Sequence, residues 1–148
     1  MNREIKFRGF IKNSNEKCKE LNWHYGDLIR ELKTNKVFIL DLNHFTENTK
    51  LSDVIVEVEL DSIGQFTGFL DKNGKEIYEG DTVKEVIAGR IAIYIVKFGL
   101  YNNNMDIEER VNGYGFYMVN INDDDSYLNN LLDFTNDWEI NKLEVISK

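Results

Sequence analysis

The stretch from Gly64 to Val83, GQFTGFLDKNGKEIYEGDTV, constrains this chain more than any other, because it sets four glycines and an Asn-Gly pair among apolar residues without a proline. Asn73-Gly74 can supply the positive φ angles of a tight hairpin turn, and Phe66, Leu70, Ile77, Tyr78 and Val83 supply apolar material on either side. The spacing predicts an antiparallel hairpin with Asn73 and Gly74 at its turn. A chain built around such a unit must find neighbours for the hairpin's edges.

Strand signals recur along most of the rest. Ile5 and Phe7 alternate with Lys6 and Arg8, predicting a first strand with one buried face. A polar run, Lys12 to Glu20, leads to a second extended segment from Trp23 through Tyr25 to Leu28-Ile29. Val37-Phe38-Ile39-Leu40 forms a third, across a turn in which Asn35 tolerates the left-handed conformation. Residues 41 to 53 are polar and aperiodic and read as an exposed loop around His44 and Phe45. Val54, Val56, Val58 and Leu60 then alternate with Glu57, Glu59 and Asp61, the period of a half-buried strand. Thr82 to Ile87 and Ile91 to Phe98 read as a further pair, the latter apolar on both faces and so centrally placed. Gly115 to Ile121 and Leu143 to Ile146 complete the strands. One helix is expected: Tyr127, Leu128, Leu131, Leu132 and Phe134 recur at helical spacing behind Asp123-Asp124-Asp125-Ser126, which offers an N-cap and negative charge at the positive end of the helix dipole.

The expected fold is therefore mainly β with one short helix, a small open or partly closed barrel or two β lobes. Gly80-Asp81 before Thr82-Val83 gives the second half an SH3-like feature, since a similar turn leads into a strand of such barrels. At 148 residues the chain suits one domain, 1–148, divisible into lobes 1–60 and 61–148 where the charge balance changes. No apolar run approaches the roughly 20 residues that span a bilayer. The opening Met-Asn-Arg-Glu-Ile-Lys lacks the apolar stretch of a secretory signal, so the expected location is cytoplasmic.

Charge bears on partners. The net charge is −8, of which −1 falls in residues 1–70 and −7 in residues 71–148. Each phosphate contact needs a Lys or Arg to displace counterions, so direct binding to duplex DNA is not expected.

The candidate chemistry is sparse. Cys18 is the sole cysteine, which leaves no internal disulfide or thiolate zinc site, and a nucleophilic role would need His24 or His44 brought beside it. Gly68 to Lys75 fails as a phosphate loop: five residues separate the glycines where that motif has four, and Glu76 stands where a Ser or Thr should follow the lysine. Asp71 to Gly74 matches a calcium loop only in fragment, with Phe69 where an oxygen ligand belongs. Asp123-Asp124-Asp125 could hold a divalent cation but serves equally as a helix cap. Glu57, Glu59 and Asp61 share one side of a strand with no opposing partner in view. Trp23 and Tyr25 could stack a base or sugar, though alternating on a strand they fit one face of a core. No cofactor, metal or catalytic residue is assigned.

The segments GQFTG and DKNGKEIYEGD, the latter followed by a β-branched pair, resemble the central motif of the YopX family, small proteins typical of phages and prophages. Arg3-Glu4-Ile5-Lys6-Phe7-Arg8-Gly9 resembles that family's opening, and Trp23-His24-Tyr25-Gly26-Asp27-Leu28-Ile29 its tryptophan-tyrosine-glycine-aspartate block. The ending departs: relatives continue past a Glu-Val-Ile like Glu144-Val145-Ile146 into a longer tail. The resemblance implies a mostly β fold from a mobile element and carries over no catalytic residues. The expected function is a non-catalytic phage or prophage module acting through protein contacts with a host or phage partner and through self-association. Phe66, Phe69, Tyr78, Glu76, Glu79, Asp123 and Asp124 are the candidate interaction surface. The alternatives are an acidic decoy occupying the nucleic-acid site of a DNA-binding protein, and an enzyme of unrecognised class.

Overall fold

A computed structural model describes residues 4–12, 22–87, 89–103, 111–121, 132–133 and 142–147. The protein is mainly β, with two antiparallel sheets and no closed barrel among the described residues. It divides into two compact units, residues 1–66 and 67–148, and the division falls inside a strand.

The first unit is built on β1 (Phe7–Phe10), β2 (Trp23–Arg30), β3 (Val37–Leu40) and β4 (Ile55–Val58). Its sheet runs β4-β3-β2-β1 and continues into β5 (Gly64–Leu70) and β6 (Glu76–Tyr78). Alternation sets the buried face. Val37, Ile39 and Val58 are buried together, with Phe7, Leu28 and Ile63 packed against them. The β2–β3 turn is held as its residues predict: Asn35 takes a φ of 58°, and its Oδ1 accepts from Arg30 Nη2 at 2.5 Å.

The Val54-to-Leu60 alternation survives only in part. Val54 ends a one-turn helix, α1 (Leu51–Val54), β4 stops at Val58, and Leu60 opens a 3-10 turn with its side chain exposed. The short helix thus lies in a segment whose polar, aperiodic composition reads as loop. Asp53 makes the difference locally, its carboxylate accepting from the Lys50 N–H across the first turn. The helix expected over 123–134 falls largely outside the described residues. Its two described members, Leu132 and Asp133, form the strand β10 against Met118 and Tyr117 of β9 (Val111–Asn120), so there the helical spacing is overruled by pairing with a sheet edge.

In the second unit the order is β10-β9-β8-β7-β11, with β7 at Thr82–Ile87, β8 at Arg90–Asn103 and β11 at Glu144–Ser147. The doubly apolar β8 is central, between β7 and β9. Ile77, Val83, Tyr94, Val96, Phe116, Met118, Leu143 and Val145 form one buried cluster, with Phe69 and Ala92 packed on it.

Candidate functional site

The polar residues of the 64–83 motif are the natural place to look for chemistry, and the structure occupies them with backbone. Asp71 is 4% exposed. Its Oδ1 accepts from the N–H groups of Asn73 (2.8 Å) and Lys75 (2.9 Å), while Oδ2 accepts from Val145 N–H at 3.0 Å. Burial alone would push this carboxyl up, but the N–H donors of Val145, Lys75 and Asn73 outweigh it and hold the group below the ordinary carboxylate value.

The turn is closed by Gly74 N–H to Asp71 O at 2.9 Å and Asp71 N–H to Lys75 O at 2.7 Å. Gly74 has a φ of 79°, whereas Asn73 stays at negative φ. The loop is therefore the three-residue kind, with glycine alone in the left-handed position, and not a two-residue turn needing both. Lys72 N–H donates to Leu143 O at 2.9 Å, so the same turn also grips the start of β11.

A second buried aspartate repeats the device. Asp81 is fully buried, and its Oδ2 accepts from Tyr78 N–H at 2.8 Å. Asp81 N–H donates to Tyr78 O, with Gly80 at a φ of 84° in the third position of the turn, as a type II turn requires. Gly80 N–H donates to Val96 O and Val96 N–H to Asp81 O, each at 2.9 Å, which docks this turn on β8. Thr67 is buried too, its hydroxyl donating to Ile77 O at 2.8 Å.

The other proposed residues are dispersed. Phe66 and Tyr78 have buried side chains, at 6% and 1% exposure; the Tyr78 hydroxyl donates to Glu76 Oε2 at 2.7 Å. Phe69 is half-buried against the second unit's core, and Glu76 and Glu79 are half-buried. Asp123, Asp124 and Cys18 lie outside the described residues. His24 is half-buried on β2 opposite Gly9, and His44 ends a 3-10 turn. Among the described residues, no three His, Cys, Asp or Glu side chains converge as metal ligands would. Arg8 is buried at 2% exposure with its guanidinium 4.7 Å from the Trp23 ring centroid, and Phe10 meets the same ring edge-on at 5.5 Å. Trp23 is thus engaged from two sides in its own unit.

Two glutamates each sit between two lysines. Glu57 contacts Lys12 and Lys36, both at 3.0 Å, and Glu144 contacts Lys72 at 2.5 Å and Lys84 at 3.2 Å. Hydrogen bonds from these lysines, Lys12 first for Glu57 and Lys72 first for Glu144, hold both carboxyls below the ordinary value. Each of these carboxylates thus has two lysine ammonium groups beside it to offset its charge.

The surface feature that the sequence reading passed over is apolar. Leu100 and Tyr114 are 69% and 73% exposed, opposite one another on β8 and β9, beside Phe98. The signal was present as glycines alternating with aromatics in Phe98-Gly99-Leu100-Tyr101 and Gly113-Tyr114-Gly115-Phe116.

Two comparisons with known proteins bear on identity. The family model described as YopX protein matches residues 6–144. No curated protein matches the chain.

Proposed function

The chain belongs to the YopX family, and from that premise we propose that it is a non-catalytic β module of a phage or prophage that acts through protein contacts. The observation that carries this reading is where the motif's polar groups go. Asp71, Asp81 and Thr67, the side chains that an active site would hold toward a substrate, are buried and hydrogen-bonded to backbone groups of β6, β11 and their own turns. The motif therefore specifies two turns and the docking of a terminal strand, a structural task. Of the exposed apolar side chains on the described surface, Leu100, Tyr114 and Phe98 stand together on β8 and β9.

Affinity capture with the full chain from prophage-bearing cells tests this. The expected result is a defined protein retained in fixed ratio after nuclease treatment and 0.5 M-class salt washing, about the ionic strength at which surface charge pairing is screened. Retention of nothing but nucleic acid, or turnover of a small molecule by the purified chain, would overturn it.

The acidic-decoy alternative fits the described carboxylates less well. Glu144 lies between two lysines, Glu85 is buried, and Glu76 accepts from the Tyr78 hydroxyl, so these groups do not present an array of free charges at phosphate-like intervals.

A further inference from the structure

Asn-Gly is the dipeptide most prone to rearrange without an enzyme, because glycine puts no side chain in the way when its amide nitrogen closes on the asparagine carboxamide. The chain has two such pairs, Asn73-Gly74 and Asn112-Gly113. The fold treats them differently. Gly113 stands within the β8–β9 ladder opposite Tyr101, whose ring occupies the space that a Cβ on Gly113 would need. Ile121 N–H donates to Ile93 O, and the register runs unbroken from there to Gly113, so the Gly113 N–H points at β8 as well. Closing a ring at Asn112 would require several ladder bonds to break.

Asn73 and Gly74 sit at an exposed turn instead. Gly74 has a φ of 79°, and no atom lies within 4 Å of where its Cβ would be, so nothing packs against the pair on that side. What restrains it is a small set of hydrogen bonds to Asp71. Gly74 N–H, on the nitrogen that would attack, donates to Asp71 O at 2.9 Å, and Asn73 N–H donates to Asp71 Oδ1 at 2.8 Å. The Asn73 carboxamide helps to keep the same carboxylate ionised. The other carboxylate oxygen accepts from Val145 N–H in β11. The reactive pair and the docking of the terminal strand thus share one side chain.

From this geometry we infer that Asn73 is a site of spontaneous conversion to aspartate and isoaspartate, and that the conversion loosens the hold of the 71–75 turn on β11. Exposed turns open at far lower cost than a strand ladder. When this one opens, the Gly74 amide gives its proton to solvent base, its nitrogen bonds to Asn73 Cγ, and the Cγ–Nδ2 bond breaks with ammonia leaving. Water then splits the cyclic imide. Cleavage between Cγ and nitrogen gives aspartate, and cleavage between the Asn73 main-chain carbonyl carbon and nitrogen gives isoaspartate, with the chain rerouted through Cγ. Water is consumed, ammonia is released, and nothing is oxidised or reduced. In either product a carboxylate replaces the carboxamide beside Asp71, so a supporting partner becomes a like charge. Isoaspartate also adds a carbon to the backbone inside the loop that Asp71 N–H closes on Lys75 O.

The test ages the full folded chain at about pH 8 and reads both Asn-Gly peptides by mass, since conversion adds about one dalton. Asn73 should convert at least about tenfold faster than Asn112 in the folded chain, and the two rates should converge in urea, where both pairs are open. Converted chains, separated by anion exchange on their extra charge, should exchange the Val145 and Lys72 amides several-fold faster than the parent, these being the N–H groups that join the turn to β11. Val96 N–H, bonded to Asp81 O, should be unchanged. An aged Asn73→Ser chain should show no quickening at Val145. Four results overturn the proposal. Asn73 stays intact while the urea-unfolded chain converts; Asn112 converts as fast as Asn73 in the folded chain; converted chains hold Val145 and Lys72 like the parent, or release Val96 equally; or the aged Asn73→Ser chain loosens β11 all the same. None of these readouts involves a binding partner, so this inference and the protein-contact reading fail separately.

Discussion

Asp71 shows at the residue scale how a motif that looks reactive becomes structural. Its carboxylate joins the 71–75 loop to Val145, a residue 74 positions away, and the ion is required because every partner is an N–H donor. The carboxyl sits below its ordinary value of 3.8 in the folded chain, so its stabilisation is fully present above that pH and is lost as pH falls through the lower folded value. Asp71→Asn would turn an amide NH2 toward at least one N–H and should cost about 1–3 kcal/mol at neutral pH, with a correspondingly flatter loss of stability in acid; melting curves at pH 3 and pH 7 check both. At Gly74 a Cβ would enter open space, so the penalty of a substitution is conformational only. Gly74→Val should lower stability by about 1–3 kcal/mol, since a β-branched residue is strained at positive φ, and Gly74→Asn should cost less. Equal melts for the two variants would show that the backbone at this turn relaxes.

At the scale of elements, Gly26 in the tryptophan-tyrosine-glycine-aspartate block explains itself only once β2 and β3 are paired. A Cβ there would come within 2.0 Å of Leu40 O, the backbone of the adjoining strand. Gly26→Ala should therefore separate β2 from β3 and cost on the order of 2–4 kcal/mol, read as early exchange of the Leu28 and Ile39 amides. The strands themselves were largely legible: Val37–Leu40 and Thr82–Ile87 carry β-branched runs between turn residues, and their bounds emerge as read. Legibility failed where a local pattern competed with a distant partner. Leu132 has helical spacing with Leu128, yet pairing with β9 takes Leu132 and Asp133 as a strand. Likewise β8 extends to Asn103, past Phe98, because pairing with β9 continues through glycines and asparagines of low strand propensity.

For the whole molecule, the acidic balance predicts no detectable binding to duplex DNA at physiological salt, and an anisotropy titration giving micromolar affinity with a steep salt slope would contradict it. Among the described residues, no helix is long and apolar enough to cross a membrane. The sequence by itself determined the family, the mainly β character and the turn at Gly74, because these depend on local spacing: glycine where φ is positive, alternation where one face is buried. It could not assign roles to Asp71 and Glu144, which reach partners on distant segments, nor separate buried Tyr78 from exposed Tyr114, since both are tyrosines in strands. Those distinctions depend on which strands become neighbours and where a sheet runs out of partners. Only the tertiary structure decides that, because strand pairing joins residues far apart in the chain and leaves its unpaired edges wherever the last strand stops.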